Sequence, residues 1–266
     1  MRLLFVFLFV SLSAAAQESL LFPRFSVTAS SSPASFETNA RIDPEVTGGQ
    51  GTLINLEHDL GLNDSRTLQR FAVQWRPFRR HELAATHFSA PRSATQRIVR
   101  TITFRNQTYP VDALVTTQFD LDYTSVTYTY WARRTERDGL GITIGAAALS
   151  MDASVSVLAF DVTAIQTQRA DTDVPVALAG LQGRVAFLPR LHGEASVATL
   201  PRITIGDYSG DALTAAARLE YRPLNWLGIG AAYHYFRLNV DVEQTTLRGA
   251  VDMTIRGPEA YVRLAF

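Results

Sequence analysis

Apolar and polar residues alternate with a period of two over long stretches of this chain. In Leu213–Arg222 every odd position is apolar (Leu213, Ala215, Ala217, Leu219, Tyr221), and most even ones are polar or charged. The same alternation runs through Leu191–Val197, through Phe71, Val73 and Trp75 against Arg70, Gln74 and Arg76, and through Ala260, Val262, Leu264 and Phe266 at the end of the chain. Side chains on a strand point to opposite faces in turn, so this pattern predicts strands with one apolar and one polar face. The alternating segments run to about ten residues or more, where strands of soluble domains usually have five or six. Their apolar face is rich in Ala, Gly and Leu, with Trp75, Tyr221 and Trp226 toward strand ends, which suits a lipid-facing band edged by aromatic residues.

The N-terminus has a different pattern. Arg2 is followed by the largely apolar run Leu3–Leu12 and by Ser13-Ala14-Ala15-Ala16. A run of about ten residues is too short to span a bilayer as a helix, and Ala14-x-Ala16 is a small-residue cleavage site. Residues 1–16 therefore read as a signal peptide, with a mature chain of residues 17–266. Nothing downstream has the eighteen consecutive apolar residues of a membrane helix.

The final strand, with Phe266 preceded by Leu264, Val262 and Ala260 at alternate positions, resembles the C-terminal strand of bacterial outer-membrane β-barrels. That resemblance implies that Phe266 is an assembly signal and that the barrel assembly machinery is a partner. A second resemblance is local. Asn55-Leu56-Glu57-His58-Asp59-Leu60-Gly61-Leu62, then a strand, then Trp75-Arg76-Pro77-Phe78-Arg79-Arg80-His81, is similar to a group of uncharacterised proteobacterial outer-membrane proteins. It implies the compartment and the barrel, and carries no activity with it. The expected fold is all-β: a transmembrane, antiparallel, up-and-down β-barrel in a bacterial outer membrane.

Short polar turns near Phe78–His81, Arg134–Gly139, Leu188–Leu191 and Arg222–Trp226 alternate with longer connections near Pro91–Val111, Phe160–Pro175, Gly206–Asp211 and Asp241–Arg248. In outer-membrane barrels the short turns are periplasmic and the long loops extracellular. Counting back from Phe266 predicts strands near 247–266, 226–242, 211–222, 191–206, 175–188, 139–160, 112–133, 80–92, 66–78 and 22–42. That is ten strands, with 43–65 as an extracellular excursion and eight or twelve as the alternatives. Twelve would follow if Gly51–Glu57 entered the wall and Pro33 split the first strand, since proline interrupts a paired ladder. Apolar parity switches from Phe119/Leu121/Tyr123 to Val126/Tyr128/Tyr130, and from Tyr233/Tyr235 to Phe236/Leu238/Val240. Either a β-bulge at each switch or strands that rise above the membrane would account for this.

Composition narrows the function. The 266 residues carry 25 cationic and 25 acidic side chains, no Cys and a mean hydropathy of +0.03. Zero net charge excludes a polyanion binder working by bulk electrostatics, so no nucleic-acid partner is expected. Lack of cysteine removes disulfides, thiolate zinc sites and thiol nucleophiles. All the cations are Arg, whose rigid fork suits packed ion-pair networks.

Parity places Arg70, Gln74, Arg76, His192, Glu194, Arg218, Glu220, Arg222, Tyr261 and Arg263 on the inner face. Unpaired charge in a narrow interior is costly, so Arg70, Arg76, Arg218, Arg222 and Arg263 are expected to form a lumen network with Glu194 and Glu220. Five cations against two anions require further carboxylates, for which Asp120, Asp122 or an inward-folding Glu57 are candidates. Such a network fills and stiffens a closed lumen; the competing reading is a polar pore or a site for an anionic solute.

Other chemistry is thin. His234 lacks the Ser two residues later that marks lipid A deacylases, and His81, at a periplasmic turn, reads as solvated. His58-Asp59 resembles the Asp–His pair of outer-membrane aspartyl proteases, but the second acidic pair has no counterpart. Glu57, Asp59, Asn63 and Asp64 offer oxygen ligands for calcium, although their spacing is not that of an EF-hand and a turn explains them as well. Arg92, Arg97, Arg100 and Arg105 make the connection after Ala90 basic, either solvated or set against lipopolysaccharide phosphates. No catalytic residue, metal site or cofactor site is assigned, and nothing fixes the oligomeric state. The sequence supports a non-enzymatic, porin-like cell-envelope barrel with a largely filled lumen, in a structural or surface-interaction role with minor passage of small solutes. The alternative is an outer-membrane hydrolase acting on lipid or peptide at the outer rim.

Overall fold

A computed structural model describes residues 20–43, 51–98, 101–104, 107–158, 166–243 and 248–266; the expected signal peptide lies outside them. In chain order the strands are β1 (Phe25–Ile42), β2 (Ile54–Asn55), β3 (Ser65–Phe78), β4 (His81–Ser89), β5 (Arg92–Arg97), β6 (Ile102–Phe104), β7 (Gln107–Tyr109), β8 (Leu114–Arg134), β9 (Asp138–Leu158), β10 (Gln166–Leu188), β11 (Leu191–Ile205), β12 (Tyr208–Leu224), β13 (Leu227–Glu243) and β14 (Arg248–Ala265). Each wall strand pairs antiparallel with the next, and β14 returns to β1, closing a ten-stranded barrel in which β4 and β5 are two segments of one wall strand along β8. Closure leaves no edge in the wall, so each strand has a neighbour on both sides to pair with inside lipid.

The first strand stays whole. Pro33 lies within an uninterrupted β1, and β2 pairs only Asn39 and Ala40, so neither route to twelve strands is taken. Three boundaries differ from expectation. The longer connection expected near Gly206–Asp211 is a two-residue turn, with β12 starting at Tyr208. The strand expected at 175–188 begins at Gln166, and the connection after Ala90 contains β5 together with the small β6–β7 hairpin. β8, β9 and β10 have 21, 21 and 23 residues. A tilted strand needs about 9–11 residues to cross a bilayer, so roughly half of each stands above it.

No bulge accompanies the parity switches. The β8–β9 register runs unbroken from Leu114↔Leu158 to Trp131↔Gly141, and β13–β14 runs unbroken throughout. Odd residues of β8 face inward along the strand, from Val115 through Phe119, Leu121, Tyr123 and Ser125 to Trp131. The chemistry inverts while the geometry does not. Below the switch the outer face is apolar (Val126, Tyr130, Ile142, Ile144) and the inner face polar (Ser125, Thr129). Above it, Phe119, Leu121, Leu149, Met151, Leu238, Val240 and Met253 are buried inside, while Asp120, Asp122 and Asp152 face out. The lower storey is a membrane barrel. The upper storey is patterned like a water-soluble one.

Candidate functional site: the lumen

The lower lumen is built from alternate residues of β3, β4 and β10–β14. Arg184 on β10 is its centre. Its guanidinium donates to both carboxylate oxygens of Glu82 (2.6 and 2.9 Å), and through Nε to Glu194 Oε2 (3.0 Å). Its flat face lies over the Trp131 ring at 4.6 Å. Glu194 also receives Gln182 Nε2 (3.0 Å) and a longer contact from Arg218 Nη1 (3.4 Å), and lies 3.9 Å from Arg263. Glu220 accepts from Arg222 Nε (2.6 Å) and pairs with Arg263 at 3.2 Å. Arg70 pairs with Glu259, whose second oxygen faces His234 Nε2 at 3.3 Å. Bidentate, charge-assisted contacts of this kind are the strong ones, and they offset the desolvation of burying so much charge.

The periplasmic floor is sealed by the residues just before β1. Leu21 and Phe22 are buried, and Phe22 meets Trp131 edge-on at 4.9 Å. Arg76 donates to the carbonyls of Phe22 (2.6 Å) and Pro23 (3.3 Å), so this cation holds the backbone of the plug. Gly139 makes room for the plug: a Cβ there would sit 2.4 Å from the Phe22 ring.

All seven charged residues expected to line the lumen face it. In the described lower lumen, six guanidiniums (Arg70, Arg76, Arg184, Arg218, Arg222, Arg263) meet four carboxylates (Glu82, Glu194, Glu220, Glu259). The additional carboxylates are not those anticipated. Asp120 and Asp122 face outward in the upper storey, because the same parity that buries Phe119 and Leu121 turns them to water. Glu57 does fold inward, but it binds Arg92 above the membrane. Glu82, Arg184 and Glu259 were missed although parity was available for each: Glu82 precedes outward Leu83, Arg184 precedes outward Val185, and Glu259 shares a face with Tyr261 and Arg263.

The upper closure is apolar. Residues 51–64 place Ile54, Leu56, Leu60 and Leu62 among Phe36, Leu68, Phe119 and Met151. Arg92 is not part of a solvated loop. It is buried between the Phe36 and Phe119 rings, donating to Glu57 Oε1 (2.5 Å) and Thr38 Oγ1 (3.0 Å), while Glu57 Oε2 accepts the Thr38 N–H (2.8 Å). This latch ties the inserted segment to β1 and β5. Arg97 stays exposed, donating to the Asp112 carbonyl, and Arg100 and Arg105 lie outside the described residues.

The acidic group near the rim is committed to structure. Glu57 serves the latch, and Asp59 Oδ2 accepts the Asn55 N–H (3.0 Å), closing a turn. Among the described residues no cluster of His, Asp and Glu has metal-binding geometry. His58 lies 3.2 Å from Asp59 with its ring in solvent, and both nearby carboxylates hold backbone amides. His81 is half-buried rather than solvated, bonded to the Tyr128 hydroxyl at 2.6 Å.

Mid-barrel, between charge network and apolar closure, lies a cavity of about 180 Å³. Its lower lining includes Gln74, Gln182 and Arg218; its upper lining includes Leu68, Phe88, Leu178 and Ile255.

No family model matches the chain, and the curated proteins give no match. Among solved structures, the outer-membrane protease OmpT of Escherichia coli is similar with a TM-score of 0.61 and 9% identity, covering 91% of this chain and 96% of that one. Ail of Yersinia pestis (TM-score 0.31, 10% identity, 90% and 99% covered) and neisserial surface protein A (0.30, 12%, 91% and 97%) are further matches. At such identities the likeness to OmpT concerns the fold. That fold, with its lipid-facing belt, is the one of bacterial outer-membrane β-barrels and places the chain in that membrane.

Proposed function

We propose that this protein is a non-enzymatic outer-membrane barrel whose own side chains fill most of the lumen, with a structural or surface-interaction role and at most minor passage of small solutes. One observation carries the reading: the lumen is closed twice, by the Arg184-centred network with Phe22 below and by the latched apolar segment above. Ten strands lie just above the eight-stranded size whose interior side chains can fill, and far below the 16–18 strands of a water-filled channel. Purified protein in planar bilayers is expected to show little conductance. Large, steady channels from the unmodified protein would refute the filled lumen and make the barrel a pore.

Two partners belong to the same proposal. Arg256 stands on the outer face where the apolar belt ends, a level suited to phosphates of lipopolysaccharide. Phe266 serves as the assembly signal, with its side chain toward lipid and its backbone exchanging two hydrogen bonds with Phe25 (2.8 and 2.9 Å) across the closing seam. Deletion of Phe266 is expected to lower the amount inserted in the membrane; unchanged insertion would remove that role.

A further inference from the structure

The seam that closes the barrel has a defect at one level. The exchanged bonds of Phe25 and Phe266 mark a hydrogen-bonded pair, and such pairs recur every second residue in an antiparallel ladder. The register continues through Val27↔Leu264, Ala29↔Val262 and Ser31↔Ala260, lapses, and resumes at Ser35↔Arg256. Pro33 therefore stands opposite Pro258 at a hydrogen-bonding position. Neither has an N–H, so both ladder bonds of that pair are missing. The span without backbone bonds across the seam is four residues, about 13 Å of strand. Ser32 Oγ donates to the Pro258 carbonyl (2.7 Å), a side-chain substitute for one of them. Gly257 lets the two backbones close over the gap, since a Cβ there would lie 2.6 Å from the Pro33 carbonyl oxygen.

Behind this span lies the mid-barrel cavity, whose lining reaches the seam at Ser32, Ala34, Arg256 and Gly257. In front of it is lipid: both prolines face outward at the top of the apolar belt, and Arg256 is the next outward residue of β14. The cavity is apolar above and polar below, where Arg70, Arg218, Glu82, Glu194 and His234 line it, and Arg218 is the cation with spare hydrogen-bonding capacity. Arg218 reaches a 3.4 Å contact with Glu194, a carboxylate that Arg184 holds more closely, and its buried Nε has no hydrogen-bond partner among the described residues. A dry apolar cavity of about 150 Å³ suffices for benzene, so this space suits a compact hydrophobic body with an anionic end.

We infer that the cavity binds a small amphipathic carboxylate, admitted sideways from the outer leaflet between β1 and β14 at Pro33 and Pro258. The carboxylate meets Arg218, and the chain or ring lies against Phe88, Leu178 and Ile255. Passage is lateral, so it needs no opening along the barrel axis, and low conductance is compatible with it.

The chain has no cysteine, which makes a clean test possible. A Pro33→Cys/Pro258→Cys variant offers one disulfide between directly opposed residues, whose Cα atoms in such a pair are about 5.5 Å apart, within disulfide range. The probe is octanoate labelled with carbon-13 at the carboxyl, added to phosphatidylcholine vesicles with and without the barrel, and followed by NMR. Saturable binding by the unmodified protein above the barrel-free baseline is expected; because the two cysteines supply the missing N–H groups, uptake is expected to slow in the reduced variant and to be lost when the disulfide forms. Arg218→Gln is expected to weaken binding about tenfold, the scale of one charge-assisted hydrogen bond. Ala216→Leu, which fills the cavity without touching the charges, should weaken it too and serves if Arg218→Gln does not fold. Absence of saturable binding by the unmodified protein, or equal binding by both cavity variants, overturns the site. Uptake by the oxidised variant equal to that of the unmodified protein overturns the seam as the route.

Discussion

The two storeys of this barrel share strands, register and closure, yet each is the other turned inside out. On β9, Leu140, Ile142 and Ile144 face out below, and Leu149, Met151 and Val155 face in above. Strand geometry fixes only which residues share a face; the solvent beyond the wall decides which face is apolar. Below, lipid leaves the interior as the one place for polar groups, and the wall encloses a charge network. Above, water surrounds the wall and the apolar side chains gather inside, with the 51–64 segment completing their core. The difference also sets how each half is held. The lower interior depends on complete pairing of charge, where one missing partner strands another. The upper interior depends on close packing, where a lost group costs in proportion to the space it leaves.

Substitutions can separate these two kinds of cohesion. The largest effect is expected for Arg184→Ala, which leaves Glu82 and Glu194 without their principal partner and should cost about 3–5 kcal/mol in urea-dependent unfolding from vesicles. An unfolding midpoint equal to that of the unmodified protein would show that the lower network is not what holds the wall. In the upper storey Leu149→Ala should cost about 2–5 kcal/mol through a cavity, and a substitution of similar volume, Leu149→Met, less than about 1.5 kcal/mol. If both cost the same, packing does not govern that half. The outer face gives the sharpest contrast. Ile144→Arg, at mid-belt, should destabilise by about 2–4 kcal/mol, whereas Ser150→Arg, six residues along the same face, should stay within about 0.5 kcal/mol. Equal costs would place the membrane boundary elsewhere.

The smallest effect lies outside both storeys, at the periplasmic turn. There the Arg133 guanidinium (3.0 and 2.9 Å) and the Thr135 hydroxyl hold the Asp138 carboxyl below its ordinary value. A depressed carboxylate stabilises the fold above its unfolded pKa, and that contribution fades as pH falls through the lower, folded value. Asp138→Asn should therefore lower stability slightly at neutral pH, leave it unchanged at the acid end, and so flatten a shallow acid-side dependence of stability. An unaltered pH dependence would remove Asp138 from that slope.

Much of the barrel was legible along the chain because alternation is local. Each residue's face follows from its neighbours, so the ten wall strands, the four tight turns and the inward set Arg70, Arg76, Glu194, Arg218, Glu220, Arg222 and Arg263 could be placed from parity. The inversion at Tyr123–Val126 was visible as well, but alternation does not say whether register slips or the solvent changes. Unbroken pairing of β8 with β9 decided that. Which carboxylate answers which cation depends on strands far apart in sequence: Glu82 and Arg184 are 102 residues apart, and Arg70 and Glu259 are 189 apart. The inward turn of Arg92 onto Glu57 depends likewise on where the 51–64 segment comes to rest. Pro33 and Pro258 each suggest only a local fault in a strand. Closure of the barrel sets them face to face, because the register between the first and last strands is fixed only when the wall meets itself.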